Sequence, residues 1–253
     1  MRLSFLAVCL AAMTEPAPRA SPAAIPVHFS EGTVHGFLEL RTTADSLLAH
    51  GDLLQVPSDS GIDSRLIFHF ADSSVFEETV SFTQHGVFTM QTYHLVQSGR
   101  AFAEDLEVTL SRSGQYVVKT PSHQYTGRLD LPADVYNGMV ITIAKNLSPQ
   151  ASATVHVVAF TPKPLIIKLD IVPAGAQRML LGRHTETAVR YALKPKLGAV
   201  LRFFAQLKGQ SPPDSHVWII TDGVPAFVRS EGPLYSGPVW RIDLTSPSWP
   251  KPK

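Results

Sequence analysis

The chain has 253 residues, 44% of them hydrophobic and 17% charged, with 22 Lys+Arg set against 21 Asp+Glu. That length can bury a sizeable core within one domain, and the even charge argues against a nucleic-acid binder, which needs a basic surplus. Twenty prolines and 16 glycines suit many short strands joined by turns.

Arg2, an apolar run from Leu3 to Met13 and a Pro/Ala/Ser-rich stretch with a small-residue cleavage site after Ala23 read as a secretory signal over residues 1–23. A loose tail or an uncleaved anchor are the alternatives, although an anchor needs about 20 apolar residues and this run is much shorter. Export places the protein in the periplasm or cell envelope. Cys9, the single cysteine, lies inside the signal and follows Val8, whereas lipidation wants a small residue there. A mature chain without a thiol has no disulfide, thiolate metal site or cysteine nucleophile.

A single β-rich domain is expected over residues 28–246. Alternation of apolar and polar residues predicts strands at Thr33 to Arg41, Leu47 to Val56, Arg65 to Ala71, Val75 to Thr83, Val87 to Gln97, Leu106 to Ser111 and Gln115 to Thr120. Three-residue turns set the expected registers. With Asp72-Ser73-Ser74 as a loop, Phe70 faces Phe76 and Leu66 faces Val80. With Gln84-His85-Gly86, Phe82 faces Phe88 and Val80 faces Met90. With Arg112-Ser113-Gly114, Leu110 faces Tyr116 and Val108 faces Val118. One face then carries Leu66, Phe68, Phe70, Phe76, Val80, Phe82, Phe88, Met90 and Val96, broken only by Glu78, Thr92 and His94.

Pro132 opens a predicted helix, Ala133 to Leu147, in which Val135, Met139, Ile143 and Leu147 recur on one face and would plug the sheet. Strands resume at Thr154 to Thr161, Leu165 to Val172 and Thr187 to Leu193. Leu197 to Leu207 fits a short amphipathic helix. A hairpin pairs Val217 to Thr221 with Val224 to Arg229 through Asp222-Gly223, a last strand runs from Trp240 to Leu244, and residues 247–253 form a loose Pro-rich tail.

Charge is uneven along the chain. From His28 to Leu110 there are 12 acidic residues against Arg41, Arg65 and Arg100, and from Lys163 to Lys208 nine basic residues against Asp170 and Glu186. Two differently solvated ends of one sheet would account for this, as would contact of the basic region 163–208 with a membrane surface or acidic envelope partner. The ten histidines lack metal-ligand spacing, and there is no nucleophile elbow, phosphate loop or dinucleotide fingerprint, so neither metal nor cofactor is expected. The one constellation is Glu78 opposite Thr92 with His94 diagonal to it. Such a polar cluster could orient a ligand's head or act as a general acid/base pair, or simply be satisfied by water.

The stretches Glu31-Gly32-Thr33-Val34-His35-Gly36-Phe37-Leu38, Gly51-Asp52-Leu53, Leu131-Pro132-Ala133-Asp134-Val135-Tyr136-Asn137-Gly138 and Trp218 to Arg229 resemble exported bacterial proteins of unknown function related to the lipoprotein-carrier group. The resemblance implies a curved antiparallel half-barrel with a helical plug and a concave apolar surface able to hold an acyl chain. Together these readings predict a mainly β fold, a single curved antiparallel sheet with one or two short helices on its concave side. The expected protein is a non-enzymatic monomer that binds a lipid, another apolar molecule or an envelope partner, with Phe68, Phe70, Glu78, Val80, Phe82, Met90, Thr92 and His94 lining the ligand. An exported hydrolase using Glu78 and His94 and a structural module without ligand are the alternatives.

Overall fold

The computed structural model describes residues 24–161, 163–182, 184–196 and 215–245. The expected secretory signal over residues 1–23, the expected Leu197 to Leu207 helix and the expected Pro-rich tail lie outside these. The described strands are β1 (Val34–Thr42), β2 (Leu47–Ser58), β3 (Gly61–Phe70), β4 (Val75–His85), β5 (Val87–Ser98), β6 (Leu106–Ser111), β7 (Gln115–Lys119), β8 (Gln124–Arg128), β9 (Ala153–Thr161), β10 (Lys163–Leu181), β11 (His184–Pro195), β12 (Ser215–Ile220), β13 (Ala226–Gly232) and β14 (Trp240–Thr245). One short helix, α1 (Val140–Lys145), lies between β8 and β9.

All strands join one antiparallel sheet in the order β8-β7-β6-β5-β4-β3-β2-β1-β14-β13-β12-β11-β10-β9. The protein is therefore mainly β, a single open antiparallel sheet. A sheet of more than about ten twisted strands curls. Here it curls until Phe160 of β9 stacks on Tyr93 of β5, with centroids 6.2 Å apart and planes 7° from parallel. The inner face can be followed strand to strand through the register, from Val118 and Val108 through Leu95, Phe68, Leu40 and Tyr191 to Ile171, all buried.

The turn at Arg112-Ser113-Gly114 has the expected register: Leu110 pairs with Tyr116 and Val108 with Val118, with Gly114 at φ 82°. A Cβ on Gly114 would stand 1.9 Å from the Leu129 carbonyl oxygen, so shape as well as backbone angle demands glycine. The other two turns differ from expectation. At Asp72 the left-handed residue is Ser73 (φ 69°), the Ser74 amide bonds the Asp72 carboxylate, and Phe68, not Phe70, pairs with Phe76. At Gly86 the strands continue to a His85/Val87 pair, placing Phe82 opposite Met90. An N-terminal strap enforces this: the Val27 amide donates to the Gly86 carbonyl and the Phe88 amide to Ile25.

A bulge then changes which side chains share a face. Ser81 pairs with Thr92 and Phe82 with Met90, leaving Gln91 as the extra residue in β5. Beyond it the inward residues are Tyr93, Leu95 and Gln97, while Thr92, His94 and Val96 turn outward. The predicted two-residue Asp222-Gly223 hairpin is also corrected. Ile220 pairs with Ala226 across a longer loop, from which Val224 projects 82% exposed. β8 was not read from the sequence because Gln124–Arg128 is almost wholly exposed and lacks an apolar alternation.

The largest correction concerns the crossover from β8 to β9. Only Val140–Lys145 of the expected Ala133 to Leu147 helix is helical. Residues 134–137 instead lie along the free edge of β9: the His156 amide donates to the Asp134 carbonyl and the Tyr136 amide to the His156 carbonyl. Asn137 extends the pairing with its side chain, Nδ2 donating to the Val158 carbonyl and Oδ1 accepting from the Val158 amide, both at 2.8 Å. Gly138 then turns left-handed at φ 69°. Backbone pairing to a buried strand edge outcompetes a helix of marginal propensity. The apolar stripe keeps its purpose, since Val135, Met139 and Ile143 are buried on the inner side.

Asn137→Ala leaves a buried N–H and a buried carbonyl of Val158 without partners, each worth roughly 1–3 kcal/mol. We expect a loss of about 2–4 kcal/mol, read from urea unfolding midpoints, with Asn137→Asp also destabilising because it cannot donate to the carbonyl.

Candidate functional site

Of the sequence-predicted lining residues, Phe68, Phe70, Glu78, Val80, Phe82 and Met90 lie on the inner face, and all but Glu78 are buried. Thr92 and His94 do not join them. Leu95, not Thr92, stands opposite Glu78, and His94 pairs with Thr79 on the outer face, 3.5 Å from Glu107. The expected Glu78/His94 acid/base pair is therefore split across the sheet.

Glu78 has a different partner, Tyr93, whose hydroxyl donates to Oε1 at 2.8 Å. Glu78 is half-buried as a residue, and desolvation of its carboxyl by the surrounding protein pushes it above its ordinary range, which the Tyr93 hydrogen bond only partly opposes. Burial and the neighbouring Glu78 carboxyl together push the Tyr93 phenol well up. Gly138 brings the crossover backbone onto this pair; a Cβ there would lie 3.2 Å from Val80 and 3.4 Å from Tyr93. Tyr235 bonds both backbone groups of Phe160, the residue stacked on Tyr93, accepting from its amide and donating to its carbonyl at 2.7 Å. Burial raises the Tyr235 phenol as well.

A second constellation, absent from the sequence reading, is Asp134 with His156. Nδ1 of His156 lies 2.8 and 2.9 Å from the two Asp134 oxygens, and both residues are buried. A carboxylate only accepts, so Nδ1 is the donor in both bonds. This arrangement orients an imidazole for proton transfer, and it also locks the crossover to β9 beside the backbone bonds already described. The signal available in the sequence was an acidic residue just after Pro132, which fits a helix start equally well.

The third is an ion pair between the N-terminal strap and α1. Glu31 Oε2 accepts from Lys145 Nζ at 2.7 Å and from Gln55 Nε2 at 2.9 Å, with Glu31 only 7% exposed. Gln84 bonds both backbone groups of Glu31, and Asn146 Oδ1 accepts from the His28 and Phe29 amides. The strap of residues 25–32 is thereby tied to the C-terminal end of α1. Among the described residues no group of three or more His, Cys, Asp or Glu is placed to hold a metal ion.

The concave face is occupied by the protein's own chain. Tyr136, Met139 and Ile143 are fully buried there, and the Tyr136 hydroxyl accepts from the Ile25 amide and donates to the Phe88 carbonyl. Val158 and Phe160 are buried on the side of β9 opposite Val155, Leu169 and Ile171, so β9 is enclosed on both faces. Comparison with protein-family models, curated proteins and solved structures gives no match.

A carboxyl whose folded pKa is raised favours folding while protonated, and that contribution is lost as pH rises through the folded value. Glu78→Gln keeps the shape and cannot ionise. We expect it to raise the thermal midpoint at pH 8 relative to the parent and to change it little at pH 4, measured by differential scanning calorimetry.

Proposed function

We propose that the protein is a non-enzymatic exported protein of the cell envelope, a β-scaffold that meets an apolar or amphiphilic ligand or an envelope partner through its outer surfaces. The observation that carries this reading is the filled trough. Tyr136, Met139 and Ile143 occupy the volume an acyl chain would need, and the segment bearing them is held by backbone pairing, the Asp134–His156 pair and the Glu31–Lys145 pair. Emptying it would expose several buried polar groups at once, each costly to leave unpaired.

The basic stretch supports a surface role. Lys168, Lys194 and Lys196 are exposed on one face of β10 and the end of β11, and among the described residues Lys196 alone of the three is paired, to Asp170 at 3.1 Å. Such a cluster favours an anionic counterpart at low ionic strength.

Amide hydrogen exchange of Met139, Ile143, Asn146 and Val158 tests this reading. With anionic phospholipid vesicles present, these amides are expected to keep the protection they show without lipid. Loss of their protection on adding vesicles would overturn it in favour of a carrier that takes lipid into the trough by displacing the crossover.

A further inference from the structure

Two adjoining recesses open at the end of the sheet where the β6–β7 turn meets the start of the crossover. Their volumes are about 200 and 470 Å³, and they share Arg112 and Leu131. The smaller recess is lined by Met90 and Val135, both buried, by half-buried Leu131 and Pro132, and by exposed Ala133 and Arg112. Arg128 and Asp130 stand on the rim of the larger.

The two arginines are held differently. Arg112 donates its backbone amide to the carbonyl of Gln91, the extra residue of the β5 bulge, at 2.7 Å, so the bulge fixes where this residue stands. Arg128 donates Nε to the Ser113 carbonyl at 3.0 Å, leaving its terminal nitrogens free of that bond. Both side chains are exposed, and among the described residues neither lies within salt-bridge distance of a carboxylate. Most other arginines of the sheet are different: Arg41, Arg65, Arg229 and Arg241 each pair with an acidic side chain. Two guanidinium groups without a carboxylate partner among the described residues, beside the apolar side chains of Leu131, Met90 and Val135, match a ligand with a planar or tetrahedral anion at one end and a hydrocarbon at the other.

We infer that this cleft binds a small amphiphilic anion, a carboxylate or phosphate carried on a single apolar chain. The anion lies between Arg112 and Arg128, and the first methylenes of the chain cover Leu131 and reach toward Met90 and Val135. The smaller recess lies below the roughly 300–1,000 Å³ of pockets that swallow a drug-sized molecule, so the rest of the chain stays outside. The site stands at the sheet's end and does not depend on whether the trough opens.

Isothermal titration of the full chain with dodecanoate, dodecyl phosphate, dodecyl maltoside and acetate, each below its micellar concentration, tests the assignment. Dodecanoate or dodecyl phosphate is expected to bind, with dodecyl maltoside and acetate at least ten-fold weaker. The better of the two anions identifies a free fatty acid or a phosphate-headed lipid as the source. Losing one charge-assisted hydrogen-bonding group corresponds to roughly ten-fold or more in affinity. Arg112→Ala is expected to weaken binding by that factor, and Arg112→Lys by less. Leu131→Ser should weaken dodecanoate and leave acetate unchanged. Arg112 is exposed, so its replacement leaves the core intact, which an unchanged circular dichroism spectrum would verify. Equal affinity for the maltoside, equal affinity for acetate, or an undiminished affinity in Arg112→Ala would each overturn the inference.

Discussion

A strand enclosed on both faces still has an edge, and the free edge of β9 carries backbone N–H and carbonyl groups that water cannot reach. Residues 134–137 supply the partners, first through the backbone at Asp134 and Tyr136 and then through the Asn137 carboxamide, which presents a donor and an acceptor spaced like a peptide group. The rest of the interior depends on this pairing. It sets the depth of the crossover, and that depth places Gly138 against Tyr93, Tyr136 beneath Ile25 and Phe88, and Ile143 in the core. A fifteenth strand would have needed a further partner for its own outer edge; a segment that pairs briefly and then turns away does not.

Ionisable groups mark the places where the crossover is fastened. Asp134 and His156 hold its beginning, Lys145 and Glu31 its end, and Glu78 with Tyr93 lies under the glycine between them. Buried polar and charged pairs contribute little net stability against well-packed apolar residues, but leaving one member without its partner is expensive. Their effect here is to make one position of the crossover far better than its neighbours, which apolar packing of Val135, Met139 and Ile143 alone would leave open to sliding.

Strand content was legible because most strands alternate clearly, and Leu106 to Ser111 could be bounded to the residue. Of the three turns, register was legible only at Gly114. There the left-handed position is a glycine, its amide closes the turn onto the Ser111 carbonyl, and the outside bonds to Gln91, Arg128 and Leu129 leave the local pairing unchanged, so Leu110 stands opposite Tyr116 as the turn rules require. At Ser73 the left-handed residue leaves no compositional mark, and at Gly86 the deciding contact comes from the strap around Ile25, some sixty positions earlier in the chain. The Gln91 bulge was invisible for a related reason. Its carbonyl is taken by the Arg112 amide, a bond between turns, and that single extra residue removed Thr92 and His94 from the site while bringing Tyr93 into it. Glu78 survived because it precedes the bulge. Asp134 and His156 were missed because spacing along a chain does not reveal that a crossover returns alongside a strand edge.

The strand order has a consequence for how the molecule is made. Both halves are meanders of neighbouring hairpins, β1 to β8 and β9 to β14, yet they meet in the middle of the sheet through β1 and β14, with Phe37 and Thr245 separated by 208 positions. During synthesis the first half can zip up unaided, but β1 then presents an open ladder until β14 has emerged. A chain released whole before it folds escapes that exposure, because the closing strand is present from the first moment of folding.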